Sequence, residues 1–158
     1  MPKAIVIYYS QTGNTKKMAE NIVEGIRKEG IEVVLKEVKE VKAQDLLNYD
    51  AIIIGSPTYY GTMAAEIKKL LDDSVKFHGR LDGKIGAAFS SSANIAGGNE
   101  TTILDILQAM LIHGMIIQGD PQGSHYGAVS VGSPDSRSIK ECLRWGLRIA
   151  KLIKKCTS

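Results

Sequence analysis

Ser10-Gln11-Thr12-Gly13-Asn14-Thr15 joins an apolar run, Ala4-Ile5-Val6-Ile7-Tyr8-Tyr9, to a stretch in which Met18, Ala19, Ile22, Val23 and Ile26 recur at helical spacing. The run is rich in β-branched and aromatic residues and apolar throughout after Lys3, as a strand covered on both sheet faces must be. The periodic stretch covers Asn14 to Glu29 and stops at Gly30, a natural helix terminator. A strand passing through a short polar turn into a helix is the first half of a βαβ unit.

The same rhythm continues outward from this unit. Ile31 to Val38 alternates apolar and charged residues, which suits a half-exposed edge strand, and Ala43 to Leu47 reads as a short helix. Ala51-Ile52-Ile53-Ile54 is the most apolar strand and therefore central. Ala64 to Val75 is a helix with Ile67, Leu70 and Leu71 inward, and Ile85 to Ser90 is a strand after the Asp82-Gly83 turn. Thr101 to His113 is a helix built on Ile103, Leu104, Leu107, Met110 and Leu111. Met115 to Gly119 is a strand that Gly127 to Val131 extends, and Ser136 to Lys155 closes the chain as a helix. Alternating strands and helices without a linker or repeat define one α/β domain over residues 1–158, with a parallel sheet and helices on both faces.

Bulk composition narrows the function classes. At 158 residues, with 44% hydrophobic and 23% charged residues, the chain can bury a core without disulfides or metals. No apolar run approaches the roughly 18 residues of a membrane span, and the N-terminal run is too short for a secretory leader. Cys142 and Cys156 belong to no metal-ligand spacing, so no metal site is expected and both read as free thiols of a cytoplasmic protein. The net charge of +3 comes from residues scattered at helical spacing, which argues against nucleic-acid binding. Trp145, Ile149, Leu152 and Cys156 form a second stripe on the closing helix, read as core packing ahead of the alternative, a homo-oligomer interface.

In open parallel sheets, ligands bind beyond the carboxyl ends of the strands where the winding reverses. Three loops fall there. Ser10 to Thr15 offers three hydroxyls, an amide and a glycine at a helix N-terminus, where unpaired N–H groups and the helix dipole favour a phosphate. It lacks the Gly-Lys-Ser/Thr end of a nucleoside-triphosphate loop and the GxGxxG of a dinucleotide fold. Its plainer reading is a helix cap by Thr12 or Asn14. Ser56-Pro57-Thr58-Tyr59-Tyr60-Gly61-Thr62 supplies a flat aromatic wall at a strand exit, unless its tyrosines merely pack on the next helix. Ser90 to Glu100 is long, polar and glycine-rich, with Asn99 or Thr101 as alternative helix caps. Carboxylates are missing at the ends of the first and third strands, Tyr9-Ser10 and Gly55-Ser56, which excludes a phospho-accepting receiver domain.

The order of these three loops resembles that of the flavodoxin-like superfamily. Phe89-Ser90-Ser91, Gly97-Gly98-Asn99-Glu100-Thr101-Thr102, Ile112-His113-Gly114-Met115 and His125-Tyr126-Gly127-Ala128 resemble one branch of it, the tryptophan-repressor-binding-protein type of NAD(P)H:quinone oxidoreductase. The resemblance covers essentially the whole chain. It implies a flavodoxin-like three-layer sandwich with a five-stranded parallel sheet in the order 2-1-3-4-5, and FMN as cofactor.

By that resemblance Ser10, Gln11, Thr12, Gly13, Asn14 and Thr15 hold the FMN phosphate. Pro57, Thr58, Tyr59, Tyr60 and Gly61 line the isoalloxazine, Ser91, Ser92, Ala93, Asn94, Ile95, Gly97 and Gly98 meet its polar edge, and His113 lies near it. No catalytic side chain is implied, because the flavin carries the chemistry. The implied partners are NAD(P)H and a quinone-like acceptor. The alternative is a flavodoxin-type carrier that docks to redox partner proteins. Such carriers are usually acidic and stack an aromatic residue of the third loop on the flavin; this chain is basic and has Ile95 there, which favours the reductase. The chain departs from the branch in carrying tyrosine where arginine is usual in Pro57-Thr58-Tyr59-Tyr60-Gly61, and in a shorter segment from Val33 to Asp50.

Overall fold

Apolar strands of this kind must be covered on both faces, and the computed structural model, which describes residues 1–158, covers them with two pairs of helices. In chain order the elements are β1 (Lys3–Tyr8), α1 (Asn14–Lys28), β2 (Glu32–Glu37), β3 (Ala51–Pro57), α2 (Ala65–Asp73), β4 (Ile85–Ser92), α3 (Asn99–Ile112), β5 (Ile116–Ile117), β6 (Val129–Val131) and α4 (Ser136–Thr157). Short 3₁₀ turns occupy Val38–Glu40, Ala43–Asn48 and Ser74–Phe77. The segment read from sequence as a short helix at Ala43 is thus a tighter 3₁₀ turn.

The sheet runs β2-β1-β3-β4-β5, the order the resemblance implies, and all its pairings are parallel. Its fifth position is shared by two fragments. β5 pairs with the start of β4 through Ile85↔Ile116, and β6 pairs with its end through Ser90↔Val129 and Ser92↔Val131. Residues 118–128 bulge out between them, so the extension expected at Gly127 to Val131 resumes the same edge.

Successive strand side chains point to opposite faces, and this alternation sorts the core into two clusters. Ala4, Val6, Ile53 and Phe89 face α1 and α4, meeting Ile22, Ile26, Trp145 and Ile149. Ile5, Ile7, Ile52, Ile54 and Ala88 face α2 and α3, meeting Ile67, Leu70, Ile103, Ile106 and Met110. Trp145 and Ile149 are buried in the first cluster while Cys156 is exposed at the helix end, so the stripe on α4 packs the core.

α1 and α4 approach more closely than ordinary helices. A Cβ on Gly25 would stand 2.3 Å from the Leu143 carbonyl oxygen, and one on Gly146 would stand 2.2 Å from that of Ile22. Two glycines facing each other let the backbones touch. Gly146→Val should therefore force the helices apart and cost ~1–3 kcal/mol in urea unfolding, as overpacked cores do. Exposed Lys28→Ala should stay within about 0.5 kcal/mol of the parent protein.

Candidate functional site

Every helix that follows a strand here starts at the carboxyl edge of the sheet, and the three loops gather there. In the first, α1 begins at Asn14 with Gly13 as its N-cap at φ 95, a left-handed conformation that costs glycine little. Neither Thr12 nor Asn14 caps the helix. The Ser10 hydroxyl instead accepts the Gly13 N–H at 3.1 Å, and Lys17 N–H returns to the Gly13 carbonyl at 3.0 Å. The backbone N–H groups of Ser10, Gln11, Thr12, Asn14, Thr15 and Lys16 have no acceptor within the protein. Gln11, Thr12 and Gly13 are exposed. This is a concave set of donors at a helix N-terminus, suited to an anion. Thr15 is buried, and its hydroxyl meets that of Ser91 at 2.9 Å, tying the first loop to the end of β4.

The second loop is a tight reversal. Tyr59 and Thr62 exchange N–H···O bonds of 2.9 and 3.1 Å, with Tyr60 at φ 50 and Gly61 at φ 80 on the tip. The Tyr60 side chain is fully exposed, whereas Tyr59 turns back over the first loop. Its hydroxyl donates to Gln11 Oε1 at 2.9 Å and its ring meets Tyr9 edge-on, with centroids 6.3 Å apart. Burial, followed by the neighbouring Tyr9 and Glu66, pushes the Tyr59 phenol above its ordinary value and keeps it protonated as a donor. Pro57 and Thr58 are half-buried; Thr58 N–H donates to the Ser91 carbonyl at 2.8 Å, and Thr58, Ser90 and Thr102 link their hydroxyls at 3.1 Å.

The third loop is shorter than the sequence reading implied, because Ser91 and Ser92 are buried residues of β4. Beyond them Ala93, Asn94, Ile95, Ala96 and Gly97 are exposed, and the N–H groups of Ala93, Asn94, Ile95 and Ala96 have no protein acceptor. Ser92 Oγ donates to the Asn94 carbonyl at 2.9 Å and accepts from Asn99 Nδ2 at 2.9 Å, which folds the loop down. Gly98, at φ 100, caps α3 in place of Asn99 or Thr101. A Cβ there would stand 2.9 Å from Gly61 Cα and 3.0 Å from Thr58 Cγ2, so the third loop packs directly on the second.

Of the residues singled out in the sequence, the three loops therefore bring together Ser10 to Thr15, Pro57 to Gly61 and Ser91 to Gly98. His113 is not among them. It caps the far end of α3, near the start of β4, a helix length of roughly 21 Å from the third loop. There it is buried, with Nε2 2.8 Å from Ser74 Oγ; that hydroxyl donates to the Leu71 carbonyl at 2.6 Å, so Nε2 carries the proton and donates to Ser74. The expectation that His113 lies near the flavin is corrected within one chain: a helix starting at the carboxyl edge delivers its last residue to the opposite edge.

The sequence reading missed two supports of the site. One is the hydroxyl relay Thr102–Thr58–Ser90, visible beforehand only as isolated small polar residues. The other is the strap at 118–128, which is tied to α4. Asp120 is buried and ion-paired to Arg144, Glu141 accepts from Arg144 at 3.0 Å and from Ser124 N–H at 3.2 Å, and Arg148 binds the Gly119 carbonyl. His125 Nδ1 donates to the Asp120 carbonyl at 2.7 Å while Asp120 N–H donates to the His125 carbonyl at 3.0 Å. The strap thus holds His125 and Tyr126 beside Glu100 and Ile103 around a cleft of about 120 Å³.

Comparison with known proteins agrees with this fold. Residues 5–110 match the family described as Flavodoxin domain, and the chain belongs to that flavodoxin-like, FMN-binding family. It is 44% identical to a protein named Flavodoxin from Aquifex aeolicus (strain VF5), over 97% of this chain and 88% of that one. It is 34% identical to one named NAD(P)H dehydrogenase (quinone) from Archaeoglobus fulgidus, over 98% of this chain and 99% of that one. Among solved structures, a flavodoxin from the domain Archaea superposes with a TM-score of 0.81 at 34% identity, over 96% of this chain and 99% of that chain. A WrbA-like flavodoxin from Agrobacterium tumefaciens superposes with a TM-score of 0.83 at 24% identity, over 98% and 99% of the two chains, a likeness of fold. The family implies a flavin. No helix is long and apolar enough to cross a membrane.

Acid should loosen this scaffold at two identified places. Burial, then His78, pushes the His113 imidazole below its ordinary 6.5, so its neutral form stabilises the fold above that value and the contribution is lost as pH falls. Burial opposes the Asp120 charge, but bonds from Arg144 and Gln122 outweigh it and hold the carboxyl below its ordinary 3.8. Urea titrations from pH 8 to pH 5 should show a decline that His113→Gln flattens; the Asp120→Asn variant should remove only the loss at more acid pH.

Proposed function

We propose that this protein binds FMN and passes electrons from NAD(P)H to a quinone or similar acceptor. The residues present suit that cofactor: the unpaired N–H groups of Ser10 to Thr15 suit its phosphate, and those of Ala93 to Ala96 suit the carbonyl and nitrogen acceptors of its pyrimidine edge. Pro57 to Gly61 offer the wall for its ring, with Tyr59 buttressed by Gln11. When bound, FMN supplies the redox chemistry, taking up two electrons with a proton and releasing them to an acceptor. The chain's own contribution is binding and orientation. Dipoles rather than lysines receive the phosphate, and the Thr15–Ser91 and Gly98–Gly61 contacts keep the three loops in register.

The observation that carries the reductase reading is the tip of the third loop. Ile95, 86% exposed, stands there with no aromatic residue in the loop, leaving that side of the site open to an incoming ring. One-electron carriage between proteins is the second reading, and the 44% identity to a protein named Flavodoxin favours it.

One measurement tests the cofactor that both readings share, and a second separates them. FMN titrated into the apoprotein should bind at least about a hundredfold more tightly than riboflavin, since the phosphate adds two or more charge-assisted bonds at ~1.5 kcal/mol each. Anaerobic mixing of FMN-loaded protein with NADH and with NADPH should bleach the flavin, and added quinone should restore its colour. Bleaching by neither nucleotide would leave the carrier reading, and failure to take up FMN would overturn both.

A further inference from the structure

A groove of about 750 Å³ runs down the outside of α2, between that helix and the 3₁₀ turns at Val38–Glu40 and Ala43–Asn48. Its volume falls in the ~300–1,000 Å³ range of small-molecule sites. β2 ends at Glu37 and α2 starts at Ala65, both at the carboxyl edge of the sheet, so the groove opens beside the second loop. Glu66 stands at that upper end, near enough to Tyr59 to bear on its phenol. Lys69, Leu70 and Asp73 follow down the same helix face, Asp73 roughly 10 Å below Glu66, and Lys76 and Phe77 close the lower end. The opposite wall supplies Lys39 and Lys42, while buried Val38, Val41 and Leu70 make an apolar floor. Four lysines thus line the groove against two carboxylates, Glu66 and Asp73. Lys39 pairs with Glu37 at 3.0 Å and Lys69 with Asp73 at 3.1 Å, but the ammonium groups of Lys42 and Lys76 have no carboxylate partner. The groove of about 530 Å³ between α2 and α3 has no such excess, setting Asp72 and Asp105 against Lys68.

We propose that this groove receives the adenosine-phosphate half of NADPH and selects NADPH over NADH; the placement rests on the reductase reading and specifies its electron donor. The order of groups along α2 matches the order of groups along that nucleotide. Glu66 at the upper end accepts from ribose hydroxyls and repels phosphate, which keeps the phosphates farther down. Lys69 follows one turn below, with Lys39 and Lys42 on the facing wall, and these receive the pyrophosphate. Lys39 and Lys69 are both exposed, so their present ion pairs are worth little and exchange readily for a phosphate. At the lower end Phe77 is half-buried, with the Arg80 guanidinium 5.9 Å from its ring centroid, an aromatic surface for adenine with a cation beside it. Lys76 and Arg80 are the groups that a phosphate on the adenosine ribose meets there, and NADH carries none. The nicotinamide is left at the top of the groove, beside the wall formed by Pro57 to Gly61.

Adenosine 2′,5′-bisphosphate tests the groove without any redox step. It is titrated calorimetrically into the oxidised, FMN-loaded protein, so that the first loop is not a competing anion site. It should bind at least about tenfold more tightly than adenosine 5′-monophosphate, since the second phosphate adds charge-assisted bonds. Lys42→Glu/Lys76→Glu should weaken the bisphosphate at least about tenfold, by reversing two charges at the site, with the circular dichroism spectrum and FMN retention unchanged. Lys155→Ala, on the other side of the sheet, should leave its affinity as it was. In turnover the double variant should raise KM for NADPH at least about tenfold, bring it near that for NADH, and leave kcat within about twofold. Equal affinities for the two adenosine phosphates, or a bisphosphate affinity indifferent to the double variant, would overturn the proposal. If NADPH bleaches the flavin with a KM that ignores the double variant, the groove assignment falls and the reductase reading stands. If neither nucleotide bleaches it while the bisphosphate binds with the expected selectivity, the reductase reading falls and the groove stands as a site for that adenosine phosphate.

Discussion

Parallel strands must be joined by crossovers that return to the same edge, so every helix leaves the sheet from its carboxyl side. The first turn of each helix presents N–H groups that its own backbone cannot satisfy. In this chain that constraint concentrates at α1 and α3. Ser10, Gln11, Thr12, Asn14, Thr15 and Lys16 on one side, and Ala93 to Ala96 on the other, leave their N–H groups unpaired beside each other. The remaining features of the site keep those groups in place. The Thr15–Ser91 hydroxyl pair locks the first loop to β4, and Tyr59 reaches over to Gln11. Gly98 packs directly on Gly61, and the Thr101 hydroxyl, donating to the Gly61 carbonyl, ties the second loop to the third.

Burial on both sheet faces supplies the rigidity this arrangement needs. The alternation of Ala4, Val6 and Ile5, Ile7 along β1 commits one set of side chains to α1 and α4 and the other to α2 and α3. A slip of one residue would exchange the two sets and displace the loops with them. Gly25 and Gly146 draw α4 onto α1, and α4 in turn anchors the strap at 118–128 through Arg144 and Arg148. The stability of the fold and the placement of the rim of the site thus share one helix.

Much of this was legible in the sequence because it follows from local pattern. Unbroken apolar runs announced the buried strands, alternation at Ile31 to Val38 announced the edge strand, and hydroxyl-rich turns after Tyr9, Gly55 and Phe89 announced the loops. What escaped depends on distances that no local pattern encodes. The capping role passed from Thr12 or Asn14 to Gly13, because a left-handed glycine followed by unpaired N–H groups leaves the helix end open. Ser91 and Ser92 read as loop residues but are strand residues, since β6 returns to pair with them. His113 was placed by likeness to a family motif, and the length and direction of α3 carry it to the opposite edge of the sheet.

We propose that the unpaired backbone N–H groups of the first and third loops form the cofactor's binding surface. The most direct test follows backbone amide resonances of the apoprotein by ¹⁵N–¹H NMR during titration with FMN. The amides of Gln11 to Lys16 and of Ala93 to Ala96 should shift most, those of the first loop downfield as they acquire a charged acceptor, while His113 and the residues around it stay still. Saturable shifts confined to other surfaces, or first-loop amides unmoved while FMN binds, would contradict it.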